Sequence, residues 1–210
     1  MDRNIILRMK RNVSSPNLYH YTKTFSNLDS IIRGGHFEIH YVLETFFFIA
    51  PNLQYRIPMV CFTDLPQGAR TRHRKRYGDY GIVLKKEWAK NQGICPVIYC
   101  KTNGQLTDII RRIYKNISPK QQINILSYCK PYYAHFYDSK TAKWSNTNVR
   151  FYDEREWRYV PIEFTDAEIG AKASKKISFT DNDVVRVYVK SKEEQRLLSE
   201  IIDIKKIKII

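Results

Sequence analysis

The densest chemistry in the chain is Asp153-Glu154-Arg155-Glu156-Trp157-Arg158, three acids and two arginines in six positions. On a strand, side chains alternate between faces, so Glu154, Glu156 and Arg158 share one face while Asp153, Arg155 and Trp157 share the other. Two carboxylates beside an arginine can do acid/base work or stabilise a developing cation, because the arginine keeps one carboxylate ionised. The plain alternative is an edge-strand ladder of ion pairs, which contributes little. A second candidate is His20 within Leu18-Tyr19-His20-Tyr21-Thr22. Its imidazole can orient a ribose hydroxyl or an amide, or simply complete its own hydrogen bonds in a core or at a surface.

A third candidate is residues 70–76, where Arg70, Arg72, His73, Arg74, Lys75 and Arg76 stand without an acid. Burying so many cations would be costly, so the stretch is expected to be exposed. It could neutralise phosphates of a nucleic acid, with Tyr77 and Tyr80 stacking on bases, contact an acidic protein partner, or be only a solvated helix face. His36 and His40 flank Glu38, but Phe37, Ile39 and Tyr41 favour a strand over the helix that would align them, and no metal is expected. Phosphate-binding loops, dinucleotide fingerprints and nucleophile elbows are missing, which argues against nucleotide hydrolysis and esterase chemistry.

The elements that must position these residues read as α+β. Residues 18–22 form a short strand, and Ser26 caps a helix over 27–33, with Asp29 in its first turn and Gly34-Gly35 as its stop. Residues 57–65 are a buried strand delivering Asp64 to a loop at Pro66. Gly81–Leu84 and Cys95–Cys100 are strands separated by a helical turn at Glu87-Trp88-Ala89. Leu106, Ile109, Ile110, Ile113 and Ile117 recur at helical spacing, and Ser118-Pro119 opens a second helix running to about Cys129, so a helical hairpin is expected at about 104–130. A polar loop spans 138–148, strand character resumes over 150–161, and 184–189 is the clearest strand. Ser191 and Glu194 make a capping box, and 204–210 reads as a charged edge strand.

The composition bounds what remains. With 210 residues, 36 Lys+Arg against 21 Asp+Glu (net +15), 15 Tyr, 10 Phe and 3 Trp, the chain has the apolar mass of a single globular domain and is no disordered basic tail. No stretch approaches the roughly 20 apolar residues of a membrane span. Arg3, Arg8, Lys10 and Arg11 break up the N-terminus, so no secretory signal and a cytoplasmic location are expected. Cys61, Cys95, Cys100 and Cys129 fit buried, reduced thiols better than a disulfide framework.

Four blocks, in order over most of residues 18–161, resemble the AbiGi family of bacterial abortive-infection (phage-resistance) proteins. They are Leu18–Thr22 with its helix, Ile57–Pro66, His73 with Tyr77–Trp88 and Pro96–Tyr99, and Phe151–Pro161. The resemblance implies a role in antiviral defence and a toxin or antitoxin partner. A second pattern, a histidine beside an aromatic on the first strand, a helix ending in Gly and a late Glu-x-Glu, is similar to that of ADP-ribosyltransferases. It implies a mainly antiparallel split sheet and NAD as substrate. His20, with Tyr21 and Thr22 beside it, would hold the nicotinamide-side ribose or the adenosine part of NAD, Tyr80 or Tyr41 would stack on nicotinamide, and Arg158 or Arg33 would contact the pyrophosphate. Glu156 would be the catalytic carboxylate and Glu154 the proton acceptor. The competing expectation is a non-enzymatic antitoxin or regulator acting through the basic surface. A nuclease using His20 or His73 with Glu156 ranks last.

Overall fold

The computed structural model describes residues 14–65, 70–138, 143–164 and 171–210. The N-terminal arginines and Pro66 lie outside these residues, as do the side chains of Arg70 and Arg72. The chain is α+β, with a mixed sheet and, among the described residues, six helices. Tyr80–Lys85 (β4) is buried at every position but the last, as a strand covered on both faces must be. It pairs antiparallel with Asn17–Thr22 (β1) on one side and with Val184–Val189 (β12) on the other. Ile207–Ile209 (β13) then adds in parallel at the edge, where the closing lysines stay in water.

On the far side of β1, Gln54–Thr63 (β3) changes partners along its length. Residues 54–59 pair with His36–Thr45 (β2), and Lys172–Ser178 (β11) extends that edge. Residues 60–63 pair with Glu156–Tyr159 (β10), whose other neighbour is Cys95–Pro96 (β5). Only Tyr19 of β1 registers with β3, opposite Thr63. The sheet therefore divides between β1 and β3, and the His20 side chain bridges the division through Nδ1, 2.9 Å from the Cys61 carbonyl.

Two cores flank the division. One gathers Phe37, Ile82, Leu84, Trp88 and Val187 under helix Phe25–Gly34 (α1). The other gathers Phe46, Phe48, Ile57, Ile110, Leu126 and Val160 beneath helices Gln105–Lys115 (α4) and Pro119–Leu126 (α5). Short helices Arg70–Tyr77 (α2) and Lys86–Asn91 (α3) flank β4 in sequence, and Lys192–Ser199 (α6) follows β12. Ser191 and Glu194 make both bonds of the expected capping box.

Several boundaries move. Thr24, not Ser26, caps α1, because its hydroxyl accepts from the Asn27 amide. Residues 95–100 break into β5 and Ile98–Cys100 (β6), which pairs with Cys129–Pro131 (β7), so α5 stops at Leu126. The polar stretch expected as a loop instead pairs as Tyr133–Asp138 (β8) with Lys143–Arg150 (β9), with 139–142 outside the described residues. Backbone pairing there overrides a side-chain pattern without apolar alternation. On α4 only Ile110 of the expected apolar face is buried, while Leu106, Ile109 and Ile113 are exposed. Asp64 ends buried, receiving Lys86 at 2.8 Å and the Ser15 amide at 2.7 Å, as an anchor for the N-terminal approach to β1.

Gly78 fixes where α2 sits. Its φ of +118° is one that side chains rarely adopt, and a Cβ there would fall 2.1 Å from the Thr22 carbonyl oxygen. Gly78→Ala should therefore cost about 2–4 kcal/mol in urea unfolding. A loss below about 0.5 kcal/mol, within the range of ordinary surface changes, would show that the junction relaxes freely.

Candidate functional site

The division of the sheet opens a cavity of about 640 Å³. Tyr19, His20 and Tyr21 of β1 face it from one side, and Glu154 and Glu156 line it from the other. Cys61 of β3, His73 and Tyr77 of α2, Lys130 of β7 and Phe151 complete the wall used below. The acidic motif approaches through a 3-10 turn, Phe151–Glu154, and Arg155 adopts φ +43° before β10 begins at Glu156. Glu156 and Arg158 share the buried face expected from alternation, on an interior strand and not on an edge, whereas Glu154 lies before the strand and is turned inward by the 3-10 turn and Arg155.

All three are buried, and a residue passed over in the sequence joins them. Lys130, 8% exposed, donates to Glu154 Oε2 at 2.8 Å and to Glu156 Oε2. Arg158, 0% exposed, donates through Nε to Glu156, through Nη1 to the Ser127 carbonyl at 2.9 Å and through Nη2 to Glu44 at 3.1 Å. Glu154 Oε1 also accepts from Arg76 at 3.0 Å and Tyr77 at 2.6 Å, and its carbonyl accepts from Thr63. The Tyr99 hydroxyl accepts from the Glu156 amide at 2.8 Å. Burial disfavours the Glu156 charge, but Arg158 and Lys130 outweigh it and hold the carboxyl well below the usual carboxylate range. Lys130 is likewise kept protonated against burial by Glu154 and Glu156.

Two of the three histidines lining the cavity, His20 and His73, are held neutral by burial. Burial lowers His20 despite the Cys61 carbonyl, and since a carbonyl only accepts, Nδ1 carries the proton and Nε2 is left as an acceptor. Burial, partly offset by Glu154, pushes His73 down to about 4. Its ring packs 4.4 Å from Tyr77 and 5.6 Å from Tyr21, and its buried Nδ1 has no hydrogen-bond partner among the described residues. Burial and the Glu154 charge push the Tyr77 hydroxyl up, so it remains a donor.

Other expected site residues fall elsewhere. Tyr80 donates to Glu194 at 2.7 Å and packs on Phe25, and Tyr41 packs on Phe164, whereas the cavity is lined by Tyr19, Tyr21, Phe62, Tyr77 and Phe151. The Thr22 hydroxyl receives Asn27 at 3.2 Å behind the wall. Arg158 is sealed beneath Glu156 and cannot reach a pyrophosphate, and Arg33 pairs with Asp29 on the surface of α1. The basic helix does reach the site through His73, Arg76 and Tyr77, while Arg74 pairs with Asp79 at 3.0 Å and Lys75 is exposed. Cys100 and Cys129 are buried as expected, but Cys95 is exposed and Cys61 opens onto the cavity. Lys130 carried one signal, a lone lysine between Cys129 and Pro131 where apolar residues would suit a core.

Residues 38–209 match the family model described as "Putative abortive phage resistance protein AbiGi, antitoxin". The chain belongs to the AbiGi family. The match includes Glu44, Arg76, Lys130, Glu154, Glu156 and Arg158, and begins after β1 and His20. "Abortive phage resistance protein AbiGi" of Lactococcus lactis subsp. cremoris is 27% identical over 133 residues, covering 53% of each protein. The chain thus spans about half the length of that curated AbiGi relative. No solved structure matches. No helix among the described residues is long and apolar enough to cross a membrane.

The buried network makes a pH prediction. Glu156 is held below its unfolded value, so between the two values the unfolded chain binds the extra proton and stability rises with pH. The contribution should be complete above about pH 5 and lost as pH falls further, since unfolded glutamate titrates near about 4.3. Lys130→Met, which leaves one negative charge of the buried network uncompensated, should cost about 3–5 kcal/mol at pH 7. Chemical denaturation from pH 3 to 7 checks both, and a flat acid limb with a fully stable variant would remove the network from the stability of the fold.

Proposed function

We infer that this AbiGi-family protein acts in phage defence as an ADP-ribosyltransferase-like enzyme that takes NAD into the divided-sheet cavity. The supporting observation is the convergence of His20 and Tyr21, near the start of the chain, with Glu156, far along it, on one cavity of ligand size. A mainly antiparallel sheet parted between β1 and β3 is the arrangement such an enzyme would use. His20 Nε2 would accept from a ribose hydroxyl, and Tyr21, Tyr77 or Phe151 would stack on nicotinamide in place of Tyr80 and Tyr41. As the bond from nicotinamide nitrogen to ribose C1′ breaks, its electron pair leaves with neutral nicotinamide and positive charge develops on the sugar. Ionised Glu156 would stabilise that charge. The acceptor then bonds to C1′ and gives up a proton. Glu154 would take that proton, giving up one of the bonds that it accepts from Tyr77, Arg76 and Lys130. The cations of α2 beside the cavity would steer an anionic target, such as a nucleic acid, toward it.

One observation favours a second reading. Glu44, Glu154 and Glu156 are matched by Arg76, Lys130 and Arg158, a neutral network that could serve the fold alone, and the family description names an antitoxin. A non-enzymatic antitoxin would instead hold a toxin, nucleic acid or acidic protein partner on its basic surface.

The two readings separate in one set of measurements. With NAD at 100 times Kd, the enzyme should be stabilised by about 2.7 kcal/mol, seen as a rise in melting temperature of several degrees. Nicotinamide release should fall by on the order of 100-fold or more in Glu156→Gln, with its folding checked by melting. If wild type neither binds NAD nor releases nicotinamide, and Lys75→Glu but not Glu156→Gln abolishes phage protection, the antitoxin reading stands alone.

A further inference from the structure

A second cavity, of about 730 Å³, adjoins the first and shares Thr45, Ala134 and His135 with it. It lies where the β2–β3 hairpin meets β8 and β9. Thr45 pairs with Gln54 across the hairpin, and His135 pairs with Asn148. Among the described residues, no Asp, Glu, Lys or Arg lines it. Its wall instead offers two rings that remain in water, Phe47 at 39% and Tyr133 at 49% exposure, beside the amides of Asn52, Gln54 and Asn148. Phe47 meets Phe48 edge-to-face at 6.1 Å and Tyr133 meets Tyr132 at 4.9 Å, and the exposed part of each ring is what a ligand can stack on. Side-chain amides carry both donor and acceptor, the pairing that a base edge presents.

We propose that this second cavity binds an unpaired nucleobase of a single-stranded nucleic acid, stacked on Phe47 and Tyr133 and read at its edge by Asn52, Gln54 and Asn148. The strand backbone stays outside the cavity, free to meet the exposed cations of the protein, Lys75 of α2 among them. A duplex cannot enter, because its bases are already stacked and paired. The shared wall puts the held base next to the cavity with Glu156, which makes it the acceptor position of the transfer. That last role rests on the proposed NAD chemistry, whereas base binding does not.

The test uses the full chain without NAD and labelled oligonucleotides of one mixed sequence, as single-stranded RNA, single-stranded DNA and duplex DNA, followed by fluorescence anisotropy. Single strands should bind at least about tenfold more tightly than duplex, and Phe47→Ala with Tyr133→Ala should weaken them about tenfold or more. Tyr133→Phe keeps the ring and should bind as wild type does. Ile162→Ala, an exposed apolar residue outside the cavity, should change nothing. Melting curves confirm that the variants fold, and Gln54→Glu, which sets a charge against the strand, gives a second probe that removes no ring. Binding by RNA alone would identify RNA as the source of the base. Equal binding of duplex, or undiminished binding by both the double variant and Gln54→Glu, would overturn the proposal. A wild-type protein that binds the strands but not NAD would retain this subsite and lose the transfer chemistry, and the reverse result would lose only the subsite.

Discussion

Lys130 lies between Glu154 and Glu156 with almost no access to water, and the architecture around it depends on that contact. A buried charge is tolerated only when it is paired and its hydrogen bonds are met, so each member of the network constrains its neighbours. Lys130 comes from β7, Glu156 and Arg158 from β10, Glu44 from the end of β2, and Arg76 from α2. Through them the network ties the divided sheet to the strand that follows the α4–α5 pair. Desolvation makes such a network less stabilising than an apolar core of the same volume would be. Its retention of ionised carboxylates at the edge of a cavity is what a hydrophobic replacement could not provide.

The same network shapes what Glu156 can do. Two cations keep it ionised, which suits a group meant to face a positive centre, and they also share its field. Glu154 is more heavily engaged still, with Tyr77 and Arg76 anchoring α2 to it. The basic helix is therefore no freely solvated appendage. One of its arginines is committed to the site, His73 and Tyr77 form the wall, and its exposed lysine faces outward. Part of the chain's +15 charge is thereby brought beside the cavity and not spread over the surface.

The cavity owes its existence to a failure of pairing. Had β1 and β3 paired along their length, the sheet would be continuous and His20 would face a neighbour's side chain. Because they register at one residue pair, the ring of His20 substitutes for a ladder bond, and Cys61 opens onto the space beside it. The tautomer of His20 follows from this, since its carbonyl partner assigns the proton to Nδ1.

The sequence by itself determined the α+β class, the strands at 81–84 and 184–189, the capping box at Ser191 and the shared face of Glu156 and Arg158. These follow from local propensity and side-chain period, which need no distant partner. Its motif blocks also carried the AbiGi resemblance. Only the tertiary structure decided that Arg158 is sealed away from any ligand, that Tyr80 and Tyr41 serve the packing elsewhere, and that Lys130 stands between the acids. Each of these is a pairing between residues far apart in the chain, where the local pattern is silent. A lysine at position 130 reads the same whether it is solvated or buried, and only the approach of two glutamates, which compensates its charge, makes the buried place tolerable.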